Sequence, residues 1–321
     1  MIYELPNELI LEKLQSISNK EFKSGIHFTS KKNFYNIIKN GEIFFSDLFE
    51  VNDQDEIKFG KETLLSHLTL KYDIKLSHIQ ELFSLKETFK RQIFVFCLAY
   101  EQRFDSLQHW AMYGDNCNGV GLKINIENVL KIIESNFSAH FIKYVFPVQY
   151  FNEKNVNVTS PSCKIENFLS DAGEIIFDIY KNIDFKNTTN DNYQKKNLIK
   201  TIFLLFSSMI KKQFWKTEKE IRIAVFPQIR NMVKYNIESN KIYFPFNFVE
   251  SEYKIRSLLN KYKNNVYSYS KDNEKLIYKK QIIDAIKLGP KNKEYELDKI
   301  SFLLDEFDLR IPLTKSIGNY S

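Results

Sequence analysis

The chain has few of the residues that build tight loops and many that need a packed interior. It contains 9 Gly and 7 Pro against 28 Phe and 18 Tyr. Glycine lets a backbone turn sharply around a phosphate group, so its scarcity argues against a glycine-rich nucleotide-binding loop. The sequence also contains no P-loop motif and no Gly-x-Ser-x-Gly motif. The chain must therefore fold mainly through helices and strands that bury aromatic side chains.

The overall composition is that of a globular protein. Hydrophobic residues make up 43% and charged residues 27% of the 321 residues, which excludes disordered, collagen-like and coiled-coil chains. Lys and Arg exceed Asp and Glu by 46 − 40 = 6, a mild excess that permits an anionic partner without requiring one. The cysteines are widely spaced, at Cys97, Cys117 and Cys163, and predict neither a disulfide framework nor a zinc ribbon.

Neither a targeting segment nor a membrane span is predicted. The first residues lack the basic and then apolar pattern of a signal peptide. The longest apolar stretch, residues 202–210, is much shorter than the ~20 residues that a membrane span needs. We therefore expect a cytoplasmic protein with no membrane association, and the sequence does not determine its oligomeric state.

The order of the predicted elements favours an α+β fold. Strands and helices alternate irregularly, without a repeated strand–helix–strand unit, which predicts a mainly antiparallel sheet with helical insertions. A polar stretch at residues 183–195 is predicted to be a loop or a small disordered insertion. No shift in composition marks a boundary, so we expect a single domain over residues 1–321, with an N-terminal helix within residues 1–22.

The first candidate site is the pattern His27-x-Thr29-Ser30, on a predicted strand that leads into a predicted helix. Strand alternation puts His27 and Thr29 on one face, where they can bind a ligand hydroxyl. Ser30 is predicted to cap the following helix and Gly41 to end it in the left-handed conformation. A histidine with only structural contacts at a strand end is the simpler interpretation of the same pattern.

The second candidate site lies in residues 217–225, which are predicted to form a strand. Alternation puts Glu218, Glu220 and Arg222 on one face of that strand. Two carboxylates this close repel each other unless a cation or substrate hydroxyls lie between them, and Arg222 can balance one of them. An exposed edge strand with a ladder of ion pairs is the alternative interpretation.

Two further patterns are less specific. Residues 52–56 hold three acids and two amides, but they lack the spacing and the glycine of a calcium loop, which favours a turn and the start of a helix. Trp110 and Tyr113 are one helical turn apart, so both are predicted to face the core.

Several segments, taken in chain order, resemble a bacterial family known as domain of unknown function 2971. The resemblance extends over residues 23–317, and the family name implies no activity. The segments that carry it are IHFTS (26–30), NIIKNGEIFFS (36–46), FEVNDQDE (49–56), FVFCLA (94–99), HWAMYGDNCNGVGLKI (109–124), VQY (148–150), FWKTEKEIRIAVF (214–226) and IKLGPK (286–291).

Two of these segments are also similar to NAD-dependent ADP-ribosyltransferases, in particular to DarT-type toxins that modify DNA. Residues 26–46 resemble the opening strand, helix and strand of those enzymes, and Glu218-x-Glu220 resembles their late glutamate pair. The resemblance implies an ADP-ribosyltransferase-like sheet with NAD as the substrate. It also implies that His27 binds a ribose hydroxyl of NAD.

The same resemblance implies roles for the remaining site residues. Glu220 would bind the other ribose hydroxyl and stabilise the oxocarbenium ion that forms as nicotinamide leaves. Glu218 would orient or deprotonate the acceptor. The resemblance further implies that NAD is contacted by Thr29, Ser46, Tyr113 and Arg222. In these enzymes a residue between the opening strand and the late glutamates, in the middle motif, packs against nicotinamide. The candidates for it here are Ser46, Tyr35 and Tyr113.

We therefore expect an NAD-dependent ADP-ribosyltransferase-like toxin or anti-phage defence effector that modifies a macromolecule. This chemistry needs a fixed carboxylate and no metal ion. It also predicts that His27 and Glu220 face each other across one cleft. Lysines at 195–196, 211–212 and 216–219 favour a nucleic-acid acceptor slightly over a protein acceptor.

Two other functions remain open at the level of the sequence. One is a metal-dependent nuclease that binds its divalent ion through acidic side chains, with Asp53, Glu56, Glu218 and Glu220 as the ligands. The other is a binding module that has the same fold but no catalytic activity.

Overall fold

The computed structural model describes residues 22–48, 54–84, 93–137, 141–152, 163–187, 189–227, 233–236, 241–248, 282–307 and 309–318. The predicted N-terminal helix and Asp53 lie outside these residues. The helices and strands in the described part follow one another as β1 (Ser24–Thr29), α1 (Lys31–Asn40), β2 (Glu42–Asp47), α2 (Gln54–Tyr72), α3 (Leu76–Ser84), β3 (Phe94–Tyr100), α4 (Leu107–Tyr113), β4 (Val120–Asn125), α5 (Ile126–Phe137), β5 (Phe141–Pro147), β6 (Gln149–Phe151), α6 (Cys163–Tyr180), α7 (Asn190–Ser207), β7 (Ile210–Lys212), β8 (Glu220–Pro227), β9 (Lys234–Asn236), β10 (Lys241–Asn247), β11 (Ile283–Leu288), α8 (Tyr295–Glu306) and β12 (Leu313–Lys315).

The chain divides into two compact units. Unit 1 comprises Met1–Glu21, Phe45–Cys97 and His140–Phe244. Unit 2 comprises Phe22–Phe44, Leu98–Ala139 and Pro245–Ser321. The chain passes between the units within β2, β3 and β10. The expectation of a single domain stays a prediction.

Unit 1 buries a large apolar core between helices and strands. Helix α2 packs against α6, α7 and β7, and α6 packs against α7. Strands β5 and β8 pair antiparallel along their length, whereas β6 and β7 pair parallel. The core is built mainly from aliphatic and aromatic side chains, among them Leu64, Phe146, Ile175, Phe203, Leu205 and Phe206.

The polar stretch at 183–195 is only partly a loop. Helix α7 begins at Asn190, so the second half of the stretch is helical and that part of the prediction is wrong. The Asn192 side chain is buried and accepts a hydrogen bond of 3.0 Å from the Asp184 backbone N–H. This contact, between residues eight apart in the chain, anchors the start of helix α7. The amino-acid composition of the stretch does not predict it.

Unit 2 is organised around β1 and β4. Strand β1 pairs antiparallel with β4, where His27 lies opposite Leu122, and with the end of β3. Strand β4 also pairs antiparallel with β11, and β11 pairs parallel with β12. The Trp110 side chain is fully buried, and its ring meets the Phe28 ring edge-on at 4.9 Å.

The predicted strand–helix–strand at the start of unit 2 is confirmed. The Ser30 hydroxyl caps α1 by accepting a hydrogen bond of 3.2 Å from the Asn33 backbone N–H. Gly41 ends the helix with φ 59° and ψ 35°, a conformation that costs glycine little. The apolar face of α1 is buried through Phe34, Ile37 and Ile38.

The expectation of a mixed α and β fold with a mainly antiparallel sheet is confirmed. In the described part of the chain, no helix has both the length and the apolar character that crossing a membrane requires. The cytoplasmic location stays a prediction.

Candidate functional site

Five charged side chains meet inside unit 1, and we refer to them as the carboxylate–lysine cluster. Their exposed side-chain fractions range from 0% for Arg222 to 11% for Glu56. A buried charge is costly unless it is paired and hydrogen-bonded, so the cluster is stable only if its members compensate one another. The members are Glu56 on α2, Lys211 on β7, Glu218, and Glu220 and Arg222 on β8.

Arg222 binds two of the carboxylates. Its Nε donates to Glu220 Oε1 at 2.7 Å, and its Nη2 donates to Glu220 Oε2 at 3.1 Å. Nη2 also donates to Glu56 Oε1 at 2.9 Å, and Nη1 donates to the Ser208 carbonyl oxygen. A two-point contact of this kind fixes both the position and the orientation of the carboxylate.

Lys211 lies between all three carboxylates. Its Nζ is 2.7 Å from Glu220 Oε2, 2.8 Å from Glu218 Oε2 and 3.4 Å from Glu56 Oε1. An ammonium group has three N–H donors, which matches the number of carboxylates around it. With every member ionised, three negative and two positive charges leave the cluster with one net negative charge.

A left-handed residue brings Glu218 and Glu220 to the same ammonium group. Glu218 ends a 3₁₀ turn over Gln213–Glu218, Lys219 has φ 45° and ψ 59°, and β8 begins at Glu220. The prediction of a continuous strand from Thr217 is therefore wrong, because the left-handed Lys219 separates the turn from the strand. Such a conformation costs a non-glycine residue about 1–2 kcal/mol, and strain of this kind is often found at functional sites.

The alternative interpretation of residues 217–225 as an exposed edge with an ion-pair ladder is also wrong. Arg222 has no exposed surface, and Glu218 and Glu220 are each 8% exposed. The ion pairs of β8 point into unit 1 because α2 and β7 supply Glu56 and Lys211 as partners.

Two neutral side chains complete the surroundings of Glu220. The Glu220 backbone N–H donates to the Tyr150 hydroxyl at 3.0 Å. The partly buried Cys97 hydrogen-bonds to the Glu220 carboxylate. Burial, reinforced by the charge of Glu220, raises the pKa of the Cys97 thiol well above its usual value, so Cys97 is a neutral thiol.

The cluster holds Glu220 in its ionised form. Burial acts to raise the pKa of Glu220, but the charges of Arg222 and Lys211 outweigh it and lower that pKa to about 2. Burial likewise acts to lower the pKa of Lys211, but the carboxylates, with Glu220 foremost, raise it to about 12. For Glu56, burial exceeds the effect of Arg222 and Lys211, and its pKa is raised.

These shifts predict a loss of stability in acid. Glu220 stabilises the folded state fully above its unfolded pKa of 4.5, and this contribution disappears as the pH falls through about 2. A shift of 4.5 − 2 = 2.5 units corresponds to a contribution on the order of 3 kcal/mol. Glu56 acts in the opposite sense, because its raised pKa favours protonation in the folded state. We expect the free energy of unfolding in urea to fall between pH 5 and pH 2.

The matched control is Glu220→Gln, which has no titrating group at this position. Its free energy of unfolding must fall less steeply over the same pH range. An identical slope for both proteins would show that Glu220 is not held ionised by the cluster. On the alkaline side, the contribution of Lys211 is complete below pH 10.5 and is lost as the pH rises through about 12.

The other predicted site residues lie on several elements. His27, half-buried, and Thr29, 6% exposed, lie on β1 in unit 2. Ser46 lies on β2 in unit 1, opposite Val95 of β3. The predicted approach of His27 to Glu220 stays a prediction, since the two residues belong to different units.

Tyr113 differs from its expected position. Trp110 and His109 on α4 are buried, but Tyr113 is 43% exposed, so the prediction that Trp110 and Tyr113 both face the core is wrong for Tyr113. Residues three apart differ by about 60° around a helix, and this seven-residue helix buries only a narrow stripe.

The predicted basic surface is smaller than the sequence suggested. Lys196 is buried and pairs with Glu81 at 3.0 Å, and Lys211 belongs to the carboxylate–lysine cluster. Lys216 is exposed and Lys219 is half-buried, on either side of Glu218. The run of lysines predicts a surface position for Lys211, and the one sequence signal against this is the apolar stretch at 202–210 that precedes it.

An exposed aromatic residue adjoins the cluster. Phe214 is 80% exposed and lies in the same 3₁₀ turn as Glu218. Its ring meets the Trp215 ring edge-on at 5.0 Å. We refer to Phe214, Trp215, Lys216 and Lys219 as the aromatic ledge.

The acidic side chains of the nuclease alternative are partly brought together. Glu56, Glu218 and Glu220 surround one cation, but that cation is the ammonium group of Lys211. Asp53 lies outside the described residues. Within the described part of the chain, no three His, Cys, Asp or Glu side chains are arranged to hold a metal ion.

The comparison with known proteins supports the family resemblance. Residues 109–223 match the family model described as Protein of unknown function (DUF2971). The matched segment contains Tyr113, Lys211, Glu218, Glu220 and Arg222, whereas the strand with His27 precedes it. No curated protein and no solved structure matches the chain.

Proposed function

We propose that the protein cleaves NAD and transfers its ADP-ribose group to a macromolecule, through an ADP-ribosyltransferase-like fold. The observation that carries this proposal is the Glu220 carboxylate, which is held in place by Arg222 and Lys211 and ionised at any physiological pH. In this reaction the bond from the ribose carbon to nicotinamide breaks, nicotinamide keeps the electron pair, and a cationic sugar forms. A prepositioned carboxylate stabilises such a cation.

The remaining residues have supporting roles in this proposal. Glu218 takes the proton from the acceptor as it attacks the ribose carbon, and His27 and Thr29 bind ribose hydroxyls. Ser46 and Tyr113 are the candidates for contact with nicotinamide. Arg222 orients Glu220 through two hydrogen bonds, and its own contact with NAD stays a prediction.

The aromatic ledge favours a nucleic acid as the acceptor over a protein. Phe214 offers an exposed ring on which a base can stack, and Lys216 and Lys219 offer positive charge to phosphates. Phe214, Trp215 and Lys216 of the ledge lie in the turn that ends at Glu218, the residue proposed to activate the acceptor, and Lys219 follows it. A toxin or an anti-phage defence effector in a bacterial cytoplasm would have this kind of target.

The test is to incubate the purified protein with NAD in the presence of mixed single-stranded DNA, RNA or a protein mixture. We expect nicotinamide to be released and the mass of the nucleic acid to increase by one ADP-ribose. Modification of the protein mixture alone would overturn the nucleic-acid acceptor. No release of nicotinamide with any of these acceptors would overturn the proposed function.

A metal-dependent nuclease is the second candidate, and its ligands would be Glu56, Glu218 and Glu220, which converge on the Lys211 ammonium group. A divalent ion would have to displace the Lys211 ammonium group from these carboxylates. Cleavage of the same nucleic acids with magnesium or manganese, and without NAD, would support this candidate over the transferase.

A further inference from the structure

Unit 2 carries a groove that lies between α1 and α8. Its volume is about 600 Å³, and Phe34, Ile300 and Leu303 line it. Phe302, also at this groove, is 74% exposed, and Tyr35 is 45% exposed. Large apolar side chains that are this exposed and lie beside an apolar groove are typical of an interaction surface.

The two helices that form the groove carry opposite charges. Helix α1 (Lys31–Asn40) has Lys31, Lys32 and Lys39 and no acid, which gives a charge of +3. Helix α8 (Tyr295–Glu306) has four acids and one lysine, which gives −4 + 1 = −3. The net charge of the two helices together is therefore zero. A groove without net charge does not favour an anionic ligand or an anionic membrane.

The two helices are already linked within one chain. Lys31 pairs with Glu296 at 3.1 Å, and Lys299 pairs with Glu296 at 3.3 Å. Lys32 on α1 and Asp305 on α8 are exposed. When two copies of this surface meet about a two-fold axis, the positive helix of one copy can lie opposite the negative helix of the other.

We propose that this groove is the contact between two copies of the chain, related by a two-fold axis. Helix α1 of each copy faces α8 of the other copy, so that the positive helix meets the negative helix twice. Phe302 of each copy enters the groove of the other. A two-fold contact uses the same surface on both copies and therefore closes without further growth. This inference does not depend on the proposed function.

The test is the oligomeric state of the full chain, measured by sedimentation velocity over a range of protein concentrations. We expect a dimer that weakens as salt is added, because salt screens the pairing of the charged helices. Phe302→Glu should weaken the dimer by at least about 30-fold, as expected for a central aromatic anchor. The matched control is Leu70→Glu, at a position that is 81% exposed on α2 in unit 1, and it should leave the dimer unchanged.

A charge-reversal experiment tests the pairing of the helices directly. Lys32→Glu and Asp305→Lys should each weaken the dimer, because each places like charges opposite one another. A mixture of the two variants should dimerise again, since both contacts between unlike copies are then attractive. A monomer at every concentration would overturn the proposal, and so would a dimer that is insensitive to Phe302→Glu.

Discussion

Arg222→Met is expected to lower the free energy of unfolding by about 3–5 kcal/mol, because it leaves a buried carboxylate without its main partner. Arg222 supplies two hydrogen bonds to Glu220 and one to Glu56, whose side chains are only 10% and 11% exposed. Methionine is unbranched, shorter than arginine and uncharged, so the change removes the cation while an apolar side chain fills part of its volume. Urea unfolding at neutral pH measures the effect.

Two comparisons separate this effect from a general loss of charge. Lys195→Met removes a surface ion pair with Asp191, which lies one helical turn away, with 2.6 Å between Lys195 Nζ and Asp191 Oδ2. It should lower the free energy of unfolding by less than about 1 kcal/mol. The double variant Arg222→Met with Glu220→Met removes both partners and should recover much of the stability lost in the single variant. If Arg222→Met lowers the free energy of unfolding no more than Lys195→Met does, the buried charges are not coupled as the structure indicates.

Glu220→Gln is expected to reduce the rate of nicotinamide release from NAD by about 100- to 1,000-fold. The change removes the prepositioned negative charge that stabilises the cationic transition state. Glutamine keeps the shape of the side chain and can still accept a hydrogen bond from Arg222. The rate of nicotinamide release under saturating NAD measures the effect. Circular dichroism and urea unfolding must show that the variant is folded.

Glu218→Gln is the matched variant for the same measurement. It should spare the hydrolysis of NAD but reduce transfer to the acceptor, because Glu218 is proposed to act on the acceptor alone. Glu101→Gln, at an exposed ion pair with Lys123, should change neither activity. A Glu220→Gln variant that is folded and as active as the parent would make Glu220 a structural residue and end its catalytic assignment.

The carboxylate–lysine cluster connects these two predictions. The same contacts that make Arg222 costly to remove also hold Glu220 ionised, so stability and the proposed chemistry depend on one set of ion pairs. Substitutions in the cluster are therefore expected to change stability as well as the proposed activity. Stability and activity are therefore to be measured on the same preparations of each variant.

Local features were predictable from the sequence because they depend on neighbouring residues. Ser30 caps α1 through the backbone of Asn33, three residues away, and Gly41 ends that helix through its own backbone freedom. The pairing of Glu220 with Arg222 also follows from strand alternation, since residues two apart lie on one face. No distant part of the chain is needed for any of these contacts.

By itself, the sequence determined the mixed α and β class, the capped helix after β1 and the presence of Glu220 beside Arg222. Only the tertiary structure decided that these charges are buried and that Lys211 lies between them. Lys211 meets Glu56 across 211 − 56 = 155 positions, through the packing of α2 against β7. Glu218 joins them only because Lys219 adopts a left-handed conformation that no local pattern required. Contacts between distant residues depend on how helices and strands pack, and local sequence patterns do not reveal which distant residues that packing brings together.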